Sequence, residues 1–208
     1  MSKTNKKRKT LFERLRPNLS KAFAILLIAL LLFTKPHITS ERAADFIEIT
    51  GFMLLIMAGL GRVWCTLYIA GRKDKILCTA GPYSLCRNPL YFFSFLGLTG
   101  FVLATNHVLY ALIVAVAFVV YYHFVIKNEE QRLSELFGDG FTTYVRTTNR
   151  FFPALKRPTK ADLGLPMNYA VFEKSLRDIS GFFMAIILVE LIEVAQKIPG
   201  FHFIVLPF

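Results

Sequence analysis

Cysteine is scarce in this chain and poorly placed for bridging. Cys65, Cys78 and Cys86 are the only three in 208 residues. At least one therefore has no partner within the chain, and none forms a Cys-x-x-Cys pair or has a histidine at metal-ligand spacing. They read as reduced thiols, with no zinc or other metal site. A Gly-x-Gly-x-x-Gly loop following a strand is also missing, which excludes the soluble dinucleotide-binding arrangement. Acidic residues are few, 14 against 25 basic, leaving a net charge of +11. Such an excess can mark a nucleic-acid surface, but 54% of the residues are hydrophobic and the 21 phenylalanines gather in runs. That composition belongs to integral membrane proteins, so the charge is a topology signal and no nucleic-acid partner is expected.

What is present is a succession of apolar runs. Residues 1–21 form a basic tail with Lys3, Lys6, Lys7, Arg8, Lys9, Arg14, Arg16 and Lys21. A basic start before an apolar run also opens a secretory signal, but no small-x-small cleavage site follows Phe33, and an uncleaved first span is expected. Ala22 to Thr34 covers only about 20 Å as a helix against a hydrocarbon core of about 30 Å, so Leu19 to Lys21 must contribute, with Lys21 snorkelling. Phe46 to Ala70 is a second span, with Arg62 well inside it. An ionisable residue there is either functional or paired with another span. Gly59 and Gly61 beside it would let a neighbouring helix come close.

Pro89–Thr105 and His107–Ile126 are the third and fourth spans, separated by Asn106 alone, and so form an antiparallel hairpin. Leu133, Leu136 and Phe137 continue the helical spacing beyond the fourth span until Gly138–Gly140 breaks it. Glu129 and Glu130 then sit at the membrane surface, as a solvated helix end or as part of a site. Ile179–Ala195 is a fifth run, with Glu193 and Lys197 spaced to pair. Ile198–Phe208 is apolar but carries Pro199, Gly200 and Pro207, which suits the interface.

Between the second and third spans lies Gly81-Pro82-Tyr83 to Arg87-Asn88-Pro89. Gly81-Pro82 is a turn signal. Asn88 is expected as an N-cap with Pro89 at the first helical position, giving a helix N-terminus with free N–H groups and a partial positive charge toward a polar ligand. With the N-terminus inside, 21 of the 25 basic residues fall in cytosolic segments, which strongly supports this orientation and with it the expectation that this segment lies on the same face as Glu129 and Glu130.

The ordered pair of segments is similar to a known family. Leu77-Cys78-Thr79-Ala80-Gly81-Pro82-Tyr83 and Arg87-Asn88-Pro89-Leu90-Tyr91 are followed, after a helical hairpin, by Glu129-Glu130, Leu133, Phe137-Gly138, Tyr144 and Arg150-Phe151-Phe152-Pro153. Over roughly residues 50–153 the chain resembles the isoprenylcysteine carboxyl methyltransferase and phospholipid methyltransferase group. The resemblance implies an all-α integral membrane protein of about five spans. Its organisation would be a basic tail (1–21), a methyltransferase-like core (22–153) and a C-terminal extension (154–208). It implies an enzyme that binds S-adenosylmethionine at the cytosolic face of what is expected to be a prokaryotic plasma membrane. The acceptor would be lipid-like or prenylated and enter from the bilayer.

Carried over by position, Lys75, Ile76, Leu77, Cys78, Tyr83, Asn88, Tyr91 and Glu129 would form the cofactor pocket, with Glu130 on its rim. Three positions depart from the family pattern. Asn88 stands where many relatives have histidine, and Phe93 stands where glycine is usual and is expected to crowd a helix contact. Val125 replaces the arginine that engages a prenylcysteine carboxylate, with Lys127 the nearest basic residue. His123, seven residues before Glu130, shares its helix face and is either a base for an amine acceptor or a packed histidine. Sterol-type reductases with a nicotinamide cofactor share the look of this region, and the Glu129-Glu130 pair argues against a phosphate-bearing ligand there. A non-catalytic scaffold of the same fold is the third reading.

Overall fold

The computed structural model describes residues 11–36, 38, 40–72, 74–159, 169–198 and 204–205. Lys3, Lys6, Lys7, Arg8 and Lys9 of the basic tail lie outside these residues, as does most of the apolar stretch after Ile198. The chain is mostly helical: α1 Leu11–Phe33, α2 Glu41–Ile69, a single turn α3 Pro82–Leu85, α4 Pro89–Ala104, α5 Val108–Thr147 and α6 Tyr169–Gln196. Two short strands, β1 Thr34–Lys35 and β2 Ile204–Val205, pair in parallel.

Two helices, α2 and α5, are long and apolar enough to cross a membrane, and only 22% and 28% of their apolar stretches are buried. Helices at the centre of a soluble protein would be covered. Here Phe46, Met53 and Leu60 on α2, and Leu112, Val116 and Val120 on α5, stand exposed, as side chains facing lipid do. Lys21–Phe33 and α4 are apolar but shorter. Helix α1 nevertheless begins at Leu11, well before the expected start near Leu19, so the first apolar run is the second half of a longer helix.

Two compact units divide the chain. In the first, made of residues 1–37 and 192–208, the Gln196 amide donates to the carbonyls of Leu31 (2.7 Å) and Thr34 (3.1 Å). Leu31 lies in the last turn of α1 and Thr34 directly after it in β1, and the last carbonyls of a helix have no partner within the helix. Gln196 therefore closes α1 from outside, next to the β1–β2 pairing.

The second unit, residues 38–191, holds the motif segments. Helix α2 starts at Ser40, whose hydroxyl accepts from Ala43 N at 3.4 Å, and carries Glu41 in its first turn. It lies directly against α4 at glycines. A Cβ on Gly100 would fall 2.8 Å from Gly51 O, and one on Gly51 would strike the backbone of Ala104. The two expected small residues have different neighbours: Gly61 takes the ring of Phe93 from α4, and Gly59 faces Phe182 of α6. Phe93 does not crowd this contact, because Gly61 opposite makes room for its ring. Arg62 pairs with another helix, its guanidinium donating to Ser94 Oγ of α4 at 2.7 Å.

The α4–α5 turn is short, though it takes in Thr105 and His107 as well as the expected Asn106, each of these two serving as a helix cap. Asn106 takes the left-handed conformation at φ 63°, and α5 runs on until Gly138 (φ 52°, ψ −124°) breaks it. Because the α2–α4 contact is backbone against side chain and backbone, no neighbour can move aside cheaply. Gly100→Leu and Gly51→Leu should each destabilise the protein by about 1–3 kcal/mol or prevent folding. Gly140→Ala, where an added Cβ meets nothing, should be mild; comparing thermal unfolding of the three in detergent checks this.

Candidate functional site

Proline 89 fixes where α4 begins, as its position in the sequence implies. Asn88 occupies the N-cap position, but the expected capping bond is absent, because its side chain is engaged elsewhere. The amide donates to the carbonyl of Arg150 at 3.0 Å and to Glu130 Oε1 at 3.4 Å. Asn88 is buried, with 7% of its surface exposed, so these partners replace the water it gave up.

Glu130 is the centre of this cluster. Its Oε1 accepts from Arg87 Nε at 2.9 Å and its Oε2 from Arg150 Nε at 3.0 Å. Arg87 reaches further, donating through Nη1 to the carbonyls of Val145 (3.0 Å) and Thr148 (2.6 Å) at the end of α5. Arg150 extends through Nη1 to His123 Nδ1 at 3.4 Å. One carboxylate thus ties the segment before α4, the middle of α5 and the segment after α5 into one group.

The backbone follows the same path. Arg87 N donates to Asn149 O (2.8 Å), Ala154 N to Leu85 O (2.9 Å) and Gly81 N to Thr159 O (2.9 Å), while Tyr144 Oη donates to Tyr83 O at 2.5 Å. Residues 149–159 lie as a clasp along residues 81–88. This is possible because Gly138 turns the chain, so that Asp139–Thr147 does not continue the line of the span.

Glu129 belongs to a second, more exposed group. Arg132, one turn on, donates through Nη2 to Glu129 Oε1 at 2.6 Å and through Nη1 to Asp74 Oδ1 at 2.7 Å. Asp74 lies in the loop that carries Lys75, Ile76, Leu77 and Cys78, and Ile76 is largely exposed there. The Asp74 bond, opposed by burial and reinforced by Glu129, raises the Arg132 pKa further above its ordinary range. Tyr91, one turn into α4, lies 5.0 Å from the ring of Tyr122 on α5.

Tyr83 is buried, and its hydroxyl has no hydrogen-bond partner. Burial first, then the nearby thiols and Tyr144, push its pKa well up, so it stays a neutral donor. A neutral, unpaired donor of this kind suits a ligand acceptor atom. Cys78 donates weakly to Tyr68 O at 3.6 Å. Among the described residues no group of three ligating side chains is arranged to hold a metal ion.

The expected residues are therefore partly gathered. Asn88 and Glu130 touch directly; Glu129 is joined to the Lys75–Cys78 loop through Arg132 and Asp74. Arg87, Arg150, Arg132 and Asp74 were not among the expected site residues, although Arg87 and Arg150 lie within the matching motifs. Their signal was charge: two acidic residues in a chain so rich in arginine invite pairing. Three arginines against Glu129, Glu130 and Asp74 also remove the net negative charge that argued against a phosphate-bearing ligand.

Comparison with known proteins defines the class. The family model of phospholipid methyltransferases matches residues 46–140, which takes in the α2–α5 frame and both carboxylates. The chain belongs to this family of membrane proteins. It is 38% identical over 146 residues to the nickel-cobalt-cadmium resistance protein NccN of Alcaligenes xylosoxydans, covering 70% of this chain and 68% of that one. It is 33% identical over 163 residues to the cobalt-zinc-cadmium resistance protein CzcN of Cupriavidus metallidurans, covering 78% and 74%. No solved structure matches the chain.

The thiols give a pH-dependent readout of the assembled clasp. Burial raises Cys86 from its ordinary 9.0 to about 11. The folded protein then keeps a proton that the unfolded chain releases, so this contribution to stability is intact below pH 9 and is lost as pH rises toward about 11. Iodoacetamide at pH 8 should label Cys86 far more slowly than half-buried Cys78, and Glu130→Ala, by loosening the clasp, should accelerate Cys86. Peptide mass mapping checks both.

Proposed function

We propose that this chain transfers a methyl group from S-adenosylmethionine to a lipid-like or amphiphilic acceptor at the cytosolic membrane face. The observation that carries the reading is the Glu130 cluster, which holds the two family segments together around α4's N-terminus with Glu129 alongside. Family membership supports the reaction class, and the unpaired Tyr83 hydroxyl supports a bound polar ligand.

The residues divide into two tasks. Glu130 has both oxygens committed to arginines and acts as frame. Glu129 gives only Oε1 to Arg132 and offers Oε2 to a ribose hydroxyl or an ammonium group. The α4 N-terminus favours a carboxylate, and Tyr83 and Tyr91 offer a donor and an aromatic face. Lys75–Cys78 would border the same ligand. When bound, S-adenosylmethionine supplies an electrophilic methyl on sulfur for in-line displacement. The protein's part is to align the acceptor and exclude water, with no covalent enzyme intermediate.

The acceptor lacks an arginine partner at Val125, which is buried, so a prenylcysteine carboxylate is a poorer fit than an amine or thiol. Five spans with a cytosolic N-terminus, the three-part division at residues 21 and 153, and residence in a prokaryotic plasma membrane belong to the same proposal. The relatives' names extend it: methylation here would serve resistance to cobalt, nickel or cadmium. Deleting the chain should then lower tolerance to those ions, and the Glu129→Ala variant should fail to restore it.

Calorimetric titration of the solubilised protein with S-adenosylmethionine and, separately, NADPH tests the reaction class. Binding of the first alone is expected, with Glu129→Ala weakening it by roughly 1.5–3 kcal/mol. Binding of NADPH alone would move the chain to the reductases, and binding of neither would leave a scaffold.

A further inference from the structure

Arg132 touches both Glu129 and the loop before α3. Its two terminal nitrogens are used separately, Nη2 on Glu129 at 2.6 Å and Nη1 on Asp74 at 2.7 Å. A guanidinium can do this because its donors diverge in a fixed plane; an ammonium cannot hold two carboxylates in the same defined geometry. The loop end of the contact is conformationally committed. Asp74 has φ 63°, a left-handed backbone that non-glycine residues rarely adopt, and Gly71 before it has φ 72°. The turn is closed by Lys75 N and Ile76 N, both donating to Arg72 O at 3.0 Å.

We infer that Arg132 is a positioning residue for the cofactor site, fixing the Glu129 carboxylate and tethering the Asp74–Cys78 loop beside it. The inference rests on the methyl-donor reading for its cofactor, but the tether itself does not. Glu129 has Oε1 occupied by Arg132, so Oε2 is turned to a set direction. The same guanidinium stops the exposed loop from swinging away from α5. Cofactor affinity should therefore depend on Asp74, which is not among the residues expected to touch the cofactor. Global stability should hardly depend on it, since both ion pairs are more than a third exposed at one or both partners and such pairs contribute little to folding.

The test uses the full-length protein in detergent or nanodiscs, with Asp74→Asn, Arg132→Gln, Arg132→Lys and the double variant Asp74→Asn with Arg132→Gln. Two measurements are made on each: the trypsin cleavage rate after Lys75 without ligand, and the Kd for S-adenosylmethionine. Asp74→Asn and Arg132→Gln should raise the cleavage rate several-fold, with Tm unchanged. Asp74→Asn should raise Kd by about threefold and Arg132→Gln by about tenfold, the latter losing two charge-assisted contacts rather than one. Arg132→Lys should recover only part of each effect. The double variant should match Arg132→Gln in Kd, because Asp74 acts on the site only through Arg132.

Unchanged cleavage in both single variants would overturn the tether. A Kd in the double variant well above that of Arg132→Gln, or an unchanged Kd in Arg132→Gln, would overturn the positioning of Glu129 through Arg132. Native protein that binds no S-adenosylmethionine would defeat the methyl-donor reading and with it the cofactor role, while the cleavage rates would still decide the tether.

Discussion

The Glu130 carboxylate is the point on which this structure turns. Its side chain is only 17% exposed and Arg87 only 10%, so each ion has given up most of its hydration. That loss is costly unless every oxygen and N–H finds a partner of good geometry. The cluster meets the condition: two guanidinium groups and the Asn88 amide serve the two oxygens, and carbonyls at the end of α5 take the rest of Arg87. Removing Glu130 would leave two arginines without their shared anion, whereas removing either arginine would leave the other. The asymmetry makes Glu130 the residue whose loss disorganises all three segments together.

Around that point the construction uses two kinds of contact. Inside the membrane-facing part, α2 and α4 meet through Gly51 and Gly100, where closeness itself is the source of attraction because lipid tails compete for every apolar surface. Outside it, the 81–88 and 149–159 segments are joined by backbone hydrogen bonds and charge. Each half uses the interaction that its surroundings leave strong.

Much of this was legible in the sequence, for reasons that can be named. Pro89 set the start of α4 and Gly138 the break in α5, because each restricts the backbone locally. The Asn106 turn followed from the shortness of the polar break, Thr105-Asn106-His107, between two apolar runs. Arg62 was expected either to act or to pair, and it pairs with Ser94. What could not be read was partnership across distance. Asn88 was expected to cap its own helix, the local choice, yet its amide serves Glu130, 42 residues away. Phe93 looked intrusive because the glycine that accommodates it, Gly61, lies on another helix. The start of α1 was hidden by polarity, since hydropathy marks where a helix meets lipid and not where it begins.

The break at Gly138 carries a consequence for how the molecule is made. Arg150 and the carbonyls of Val145 and Thr148 lie beyond that break, so while the chain is being synthesised Glu130 leaves the ribosome before the arginine and carbonyls that complete its surroundings. The glycine-faced helices can associate as soon as α4 has been made, but the charged clasp must wait for the chain to double back. Assembly therefore has an order written into it, membrane contacts first and the polar site last, and a product truncated before Arg150 would be inserted yet chemically unfinished.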